Sequence, residues 1–119
     1  MLFRSLFVIR TAGETLDSAS LGSIEYAVEH LGVGLIVVVG HERCGAVAAA
    51  AKEGTYPRFL SDVVKQIRSR LSPDTFTKAT ALKDAINKNS KAAAKELTDR
   101  SSIMAHLSHE GKLKIVSGY

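Results

Sequence analysis

The run Leu35-Ile36-Val37-Val38-Val39-Gly40-His41-Glu42-Arg43-Cys44-Gly45-Ala46 constrains the fold of this chain more than any other part of it. Five apolar residues, four of them β-branched, favour a strand, and the lack of polar alternation predicts burial on both faces. The strand ends at Gly40. A histidine and the chain's single cysteine follow at once, and a small-residue helix begins near Gly45. Residues at the C-terminal end of a parallel strand are where open α/β sheets usually place their chemistry. His41 and Cys44 offer an imidazole nitrogen and a thiolate, two of the donors that a zinc site uses.

The flanking sequence predicts alternating elements. Leu6 to Arg10 reads as a short strand, followed by the turn-prone Thr11-Ala12-Gly13-Glu14-Thr15. In Leu21 to Leu31, apolar residues recur at helical spacing (Ile24, Ala27, Val28, Leu31), and Gly32 sits where a C-terminal cap belongs. With Leu35 to Val39 as the next strand, strand, helix and strand form a βαβ unit, for which a parallel pair and a right-handed crossover are expected. Gly45 to Lys52 reads as a short helix closed by Gly54. Leu60, Val63, Val64, Ile67 and Leu71 form a helical stripe that stops at Ser72-Pro73. Lys78 to about Leu97 reads as a helix, Ser102 to His109 as another, and Leu113 to Val116 as a last strand.

At 119 residues, 45% hydrophobic and 24% charged, the chain has the size and composition of one domain, spanning residues 1–119. A chain this long can remove about two-thirds of its unfolded surface from water. One cysteine excludes an internal disulfide framework and suits a reducing compartment, so a cytoplasmic location is expected. No apolar run approaches the roughly 20 residues of a membrane span, and Met1 to Arg10 reads better as a strand than as a signal peptide. Much of the net charge of +4 lies between Lys65 and Arg100, interleaved with acids and with a single aromatic residue, Phe76. It reads as a solvated helical surface rather than a nucleic-acid interface.

Four segments in order carry a resemblance to the β-class carbonic anhydrases, zinc enzymes that interconvert carbon dioxide and bicarbonate. Arg10-Thr11-Ala12-Gly13-Glu14 after Phe7-Val8-Ile9 is similar to the family's strand and Arg-Asn-Ala-Gly-Asn turn. Ser23-Ile24-Glu25-Tyr26-Ala27-Val28 resembles its Ser-Leu-Glu-Tyr/Phe-Ala-Val helix. His41-Glu42-Arg43-Cys44-Gly45-Ala46 matches the His-x-x-Cys-Gly-Ala zinc motif, and Gly111 to Tyr119 approximates a Gly-x-Leu-x-Val-x-Gly-x-Tyr ending. The resemblance implies an α/β, three-layer domain with a short, mainly parallel central sheet flanked by helices. It implies zinc as cofactor, His41 and Cys44 as metal ligands, and carbon dioxide or bicarbonate as substrate. It also implies a second copy of the chain as partner, in a homodimer or higher oligomer.

The sequence departs from the family where the metal is concerned. The family's first zinc cysteine lies in a Cys-x-Asp-Ser-Arg motif that has no counterpart here, and its aspartate and arginine are missing with it. Thr11 and Glu14 replace the two asparagines of the glycine turn. A catalytic zinc needs three protein ligands to hold an open site and bring its water's pKa to roughly 7, and this sequence matches two. The resemblance is therefore to a truncated or degenerate member, of impaired activity, with a non-catalytic scaffold, binding or regulatory role as the alternative. An in-frame Cys-x-Asp-Ser-Arg in the DNA upstream of Met1 would mark a truncated record. His30, His106 and His109 are expected as solvated residues near helix ends, and Glu42 as a solvated loop residue. In the family the missing strand lies between the strands matching Leu6–Arg10 and Leu35–Val39, so either those two pair directly or a second copy supplies the edge.

Overall fold

The structure is a computed structural model that describes residues 6–76 and 80–119. Its elements run α1 (Ser18–His30), β1 (Leu35–Val39), α2 (Gly45–Ala51), α3 (Arg58–Arg70), α4 (Ala81–Arg100), α5 (Ser102–His109) and β2 (Lys114–Gly118), with 3-10 turns at Ala12–Glu14 and Pro73–Phe76. The fold is α/β, with five helices around a short parallel sheet, consistent with the expected carbonic-anhydrase-like domain.

Local chemistry sets the helix ends. Asp17 caps α1: its carboxylate accepts from the Ser20 N–H at 2.7 Å, while Ser20 Oγ accepts from the Asp17 N–H at 2.8 Å. This reciprocal box satisfies two amides that would otherwise lack partners, and the Ser20 N–H is the main reason the Asp17 carboxyl lies below its ordinary pKa. Gly32 follows α1 at φ +71°, the left-handed geometry expected of a residue just past a helix. Ser101 caps α5 by accepting from the Met104 N–H at 3.2 Å. Its hydroxyl also donates to Glu25 Oε2 at 2.7 Å, which ties α5 to α1. The expected start of α4 at Lys78 lies outside the described residues.

Two apolar clusters make the core. Val47 and Ala50 of α2 meet Val64 and Ile67 of α3 and Ala85 and Ile86 of α4. On the other side, Val28 of α1, Leu97 of α4 and Met104 of α5 pack with Leu16 and Leu113 against Ile36, Val38 and Ile115 of the sheet. Gly40 allows α4 to approach the end of β1, because a Cβ there would stand 2.8 Å from Ile86 Cγ2.

Three expectations about strands are corrected. Leu6–Arg10 forms no strand; it is exposed and lies outside every helix and strand. A strand exists only through a neighbour's ladder, and β-favouring residues do not supply that neighbour. The βαβ unit expected across α1 is consequently absent. The parallel pair is β1 with β2, in register from Leu35 opposite Lys114 to Val39 opposite Gly118. Nor is β1 buried on both faces: Ile36 and Val38 face the core, while Leu35, Val37 and Val39 are 54%, 51% and 57% exposed. Uncovered surface also shows in the radius of gyration, 15.0 Å against about 13.5 Å for a compact domain of this length.

Candidate functional site

Parallel pairing brings the ends of β1 and β2 together, and the Gly40 N–H donates to the Gly118 carbonyl at 2.9 Å. From there the chain turns through His41 and Glu42 to Arg43, which adopts φ +56°. That left-handed residue delivers Cys44 to the position just before α2, and the Cys44 carbonyl accepts the Ala48 N–H at 3.0 Å. Cys44 is 2% exposed and packs in the α2–α3–α4 cluster as a free thiol. His41 is exposed, with its Nδ1 3.1 Å from the Glu42 carbonyl oxygen. The two expected metal ligands therefore flank one loop at the C-terminal end of the sheet.

A half-buried carboxylate, Glu14, completes the polar surroundings. Burial raises its pKa above the ordinary carboxylate value, and the charges of His41 and Arg70 oppose that rise. Glu14 holds φ +52° directly after Gly13 at φ +64°, so the turn is a pair of left-handed residues. Asn89 of α4, fully buried, donates to the Gly13 carbonyl at 2.8 Å and to Glu14 Oε2 at 3.3 Å.

Behind Glu14 lies a network that reading the sequence missed. The Arg70 side chain is 2% exposed and grips Glu96 with two parallel bonds, Nε to Oε1 at 2.8 Å and Nη2 to Oε2 at 3.0 Å. Its Nη1 donates to the Glu14 carbonyl and Asn89 Oδ1, both at 3.1 Å, and to the Gly13 carbonyl at 3.3 Å. Nη2 also reaches Gln66 Oε1 at 3.1 Å. Gln66 in turn accepts from the Leu16 N–H and donates to the Leu16 carbonyl at 3.1 Å. The basic stretch expected as a solvated surface is thus corrected at Arg70, which is an internal clamp holding the Gly13–Leu16 turn onto α3 and α4. Nothing in residue spacing distinguishes Arg70 from Arg68, whose Nε donates to the Ala50 carbonyl at 2.9 Å and whose Nη2 donates to the Lys52 carbonyl at the end of α2; only the packing of Glu96 and Asn89 opposite Arg70 does.

The other candidates stand elsewhere. His106 pairs with Glu110 at 2.9 Å, and His30 lies 3.6 Å from Glu29 and against the Tyr26 ring at a centroid distance of 5.3 Å. His106 and His109 share the last turn of α5. Grooves between α1 and α5, lined by Val28, Glu29, Ile103 and His106, do not include His41 or Cys44.

The fit to zinc can be judged from the donors. Among the described residues, no group of three or more His, Cys, Asp or Glu side chains is placed to hold a metal ion. His41 and Cys44 supply two donors of opposite exposure, and Glu14 is engaged by Asn89. A tetrahedral site with one open position takes three protein ligands, so the residues present do not fit a catalytic zinc by themselves.

Comparison with known proteins bears on ancestry. A family model described as carbonic anhydrase matches residues 2–119. Carbonic anhydrase 2 of Mycobacterium tuberculosis (strain ATCC 25618 / H37Rv) is 56% identical over 66 residues, which cover 52% of this chain and 32% of that protein. The carbonic anhydrase of Mycolicibacterium smegmatis is 54% identical over 66 residues with the same coverage, and that of Pseudomonas aeruginosa 50% over 52 residues, or 39% of this chain and 24% of the relative. The match thus spans about a third of the mycobacterial proteins' length. With the glycine turn, the His-x-x-Cys loop and the parallel strand pair on one scaffold, this chain belongs to the β-class carbonic anhydrase family.

Proposed function

We propose that this chain is a carbonic anhydrase-like domain whose own capacity to hydrate carbon dioxide to bicarbonate and a proton is impaired, because it brings only two of the three donors that a catalytic zinc requires. The observation that carries this reading is the pairing of His41 and Cys44 at the sheet's C-terminal end with no third donor beside them among the described residues. Zinc, when held, turns bound water into hydroxide near neutral pH. His41 and Cys44 are the residues that would contribute to holding it. Carbon dioxide or bicarbonate is the substrate of any residual activity, and the expected partner is a second copy of the chain. A reducing, cytoplasmic setting suits the single free thiol.

A second reading, a non-catalytic scaffold or binding descendant, is supported by the Arg70 network. The clamp fixes the site's walls through protein–protein bonds that need no metal. Stopped-flow carbon dioxide hydration separates the two. The purified chain in excess zinc is expected to give a rate within a few-fold of buffer, unchanged by Cys44→Ser. Zinc-dependent turnover abolished by Cys44→Ser would overturn the reading of impairment and remove the scaffold alternative.

A further inference from the structure

Glu14 is an unexpected residue for the place it holds. At φ +52° its backbone is left-handed, a geometry that asparagine accepts more readily than glutamate. Non-glycine residues kept in such conformations cluster at active sites and ligand clamps. The turn also sets Glu14 beside the loop of the expected metal ligands. A Cβ on Gly13 would stand 3.2 Å from the Cβ of Ala46, in the first turn of α2 two residues past Cys44, and the charge of His41 acts on the Glu14 carboxylate. Carboxylate oxygen, imidazole nitrogen and thiolate sulfur are the three donor types that zinc takes from proteins.

Two separate grips hold this residue. Its backbone is pinned, because Arg70 binds the carbonyls of Gly13 and Glu14 while Asn89 binds that of Gly13. Its side chain is held by one hydrogen bond among the described residues, from Asn89 Nδ2 to Oε2 at 3.3 Å. That is longer than the roughly 2.7–3.2 Å of an ordinary N–H···O bond. Asn89 is fully buried, and its Oδ1 accepts from Arg70, so the amide itself is fixed on α4. We propose that Glu14 is a third metal donor withheld by Asn89: the hydrogen bond keeps the carboxylate on α4, and releasing it lets the side chain turn to the His41–Cys44 loop. This role rests on the reading of His41 and Cys44 as the metal-facing pair, and it accounts for those two donors standing alone. Only side-chain torsions have to change, since the turn is already anchored beside α2. One amide disarms the site.

Zinc titration against a chromophoric chelator, with cobalt(II) as a spectroscopic probe of thiolate ligation, tests this in variants of the full chain. Asn89→Asp keeps the oxygen that Arg70 binds and replaces the amide donor with a charge that repels Glu14. Asn89→Ser removes the bond without adding a carboxylate. Each, shown to be folded by circular dichroism, is expected to tighten zinc at least about ten-fold, the scale on which supporting contacts move metal affinity. Each is also expected to gain a cobalt–thiolate charge-transfer band. Adding either Glu14→Gln or Cys44→Ser is expected to abolish both gains. In the wild-type background, Glu14→Gln leaves Asn89 untouched and is expected to leave the weak zinc affinity unchanged; a loss there would show that Glu14 is not withheld. Folded Asn89 variants that bind zinc no better than wild type would overturn the proposal, as would a gain that survives Glu14→Gln. A gain that needs Glu14 but survives Cys44→Ser would instead overturn the reading of His41 and Cys44 as the metal-facing pair.

Discussion

Arg70→Met is expected to lower the unfolding free energy by about 3–5 kcal/mol, the cost of breaking a buried ion pair by removing one partner. The guanidinium is buried and saturates its donors on Glu96, Asn89, Gln66 and the carbonyls of Gly13 and Glu14. Methionine fills much of the volume but leaves the Glu96 carboxylate, only 24% exposed, without its two-pronged partner. Arg100 Nη1 stands 3.9 Å from Glu96 and cannot replace that geometry. The Gly13–Leu16 turn also loses its strap, so the damage spreads from α3 to the wall of the site. Urea unfolding monitored by circular dichroism checks this, with a midpoint shift and little change in slope. Arg70→Met combined with Glu96→Leu is expected to recover part of the loss, because removing both charges avoids an orphaned carboxylate. A single variant within about 1 kcal/mol of wild type would show that the pair acts as a surface bridge.

Gly13→Ala is expected to cost about 2–4 kcal/mol through two independent causes. Its φ of +64° is a left-handed conformation, which costs a residue with a Cβ roughly 1–2 kcal/mol. The added methyl would also overlap Ile67 Cδ1 and stand 3.2 Å from Ala46 Cβ. Ile67 is fully buried in the α2–α3–α4 cluster and has little room to yield, and overpacking of this kind costs about 1–3 kcal/mol. Thermal unfolding is expected to show a drop on the order of 10 °C. Gly22→Ala serves as the control, because nothing lies within 4 Å of a Cβ there and its φ is not left-handed. Equal effects at both positions would mean that the Gly13 turn does not need glycine.

Much of the fold could be read from the sequence wherever a segment carries its own instructions. The stripe from Leu60 to Leu71 predicts α3, Gly32 marks the end of α1, and Ser102–His109 coincides with α5. These signals are local, written in the side chains that bury and the residues that cap. Strands depend on partners: the strands at Leu35–Val39 and near Leu113–Val116 were legible, but the pairing was not. Leu6–Arg10 has the composition of a strand and no neighbour to make it one, and β1 lacks a cover for Leu35, Val37 and Val39. The site divides the same way. The His41–Cys44 spacing was legible because the motif is contiguous. The role of Arg70 was not, because its partners other than Gln66 lie 19 to 57 positions away in sequence. Glu14 was visible only as a substituted turn residue, and its contacts with Asn89 come from a helix 75 residues on.

The account rests on donor number: one imidazole and one thiolate do not secure a tetrahedral ion. Zinc titration of the purified, reduced chain against a chromophoric chelator at neutral pH measures this directly. The expected result is a dissociation constant weaker than about 1 µM, rising further in Cys44→Ser, with unfolding temperature unmoved by zinc. Stoichiometric zinc held at nanomolar affinity would contradict the account, because a third protein donor would then have to complete the site.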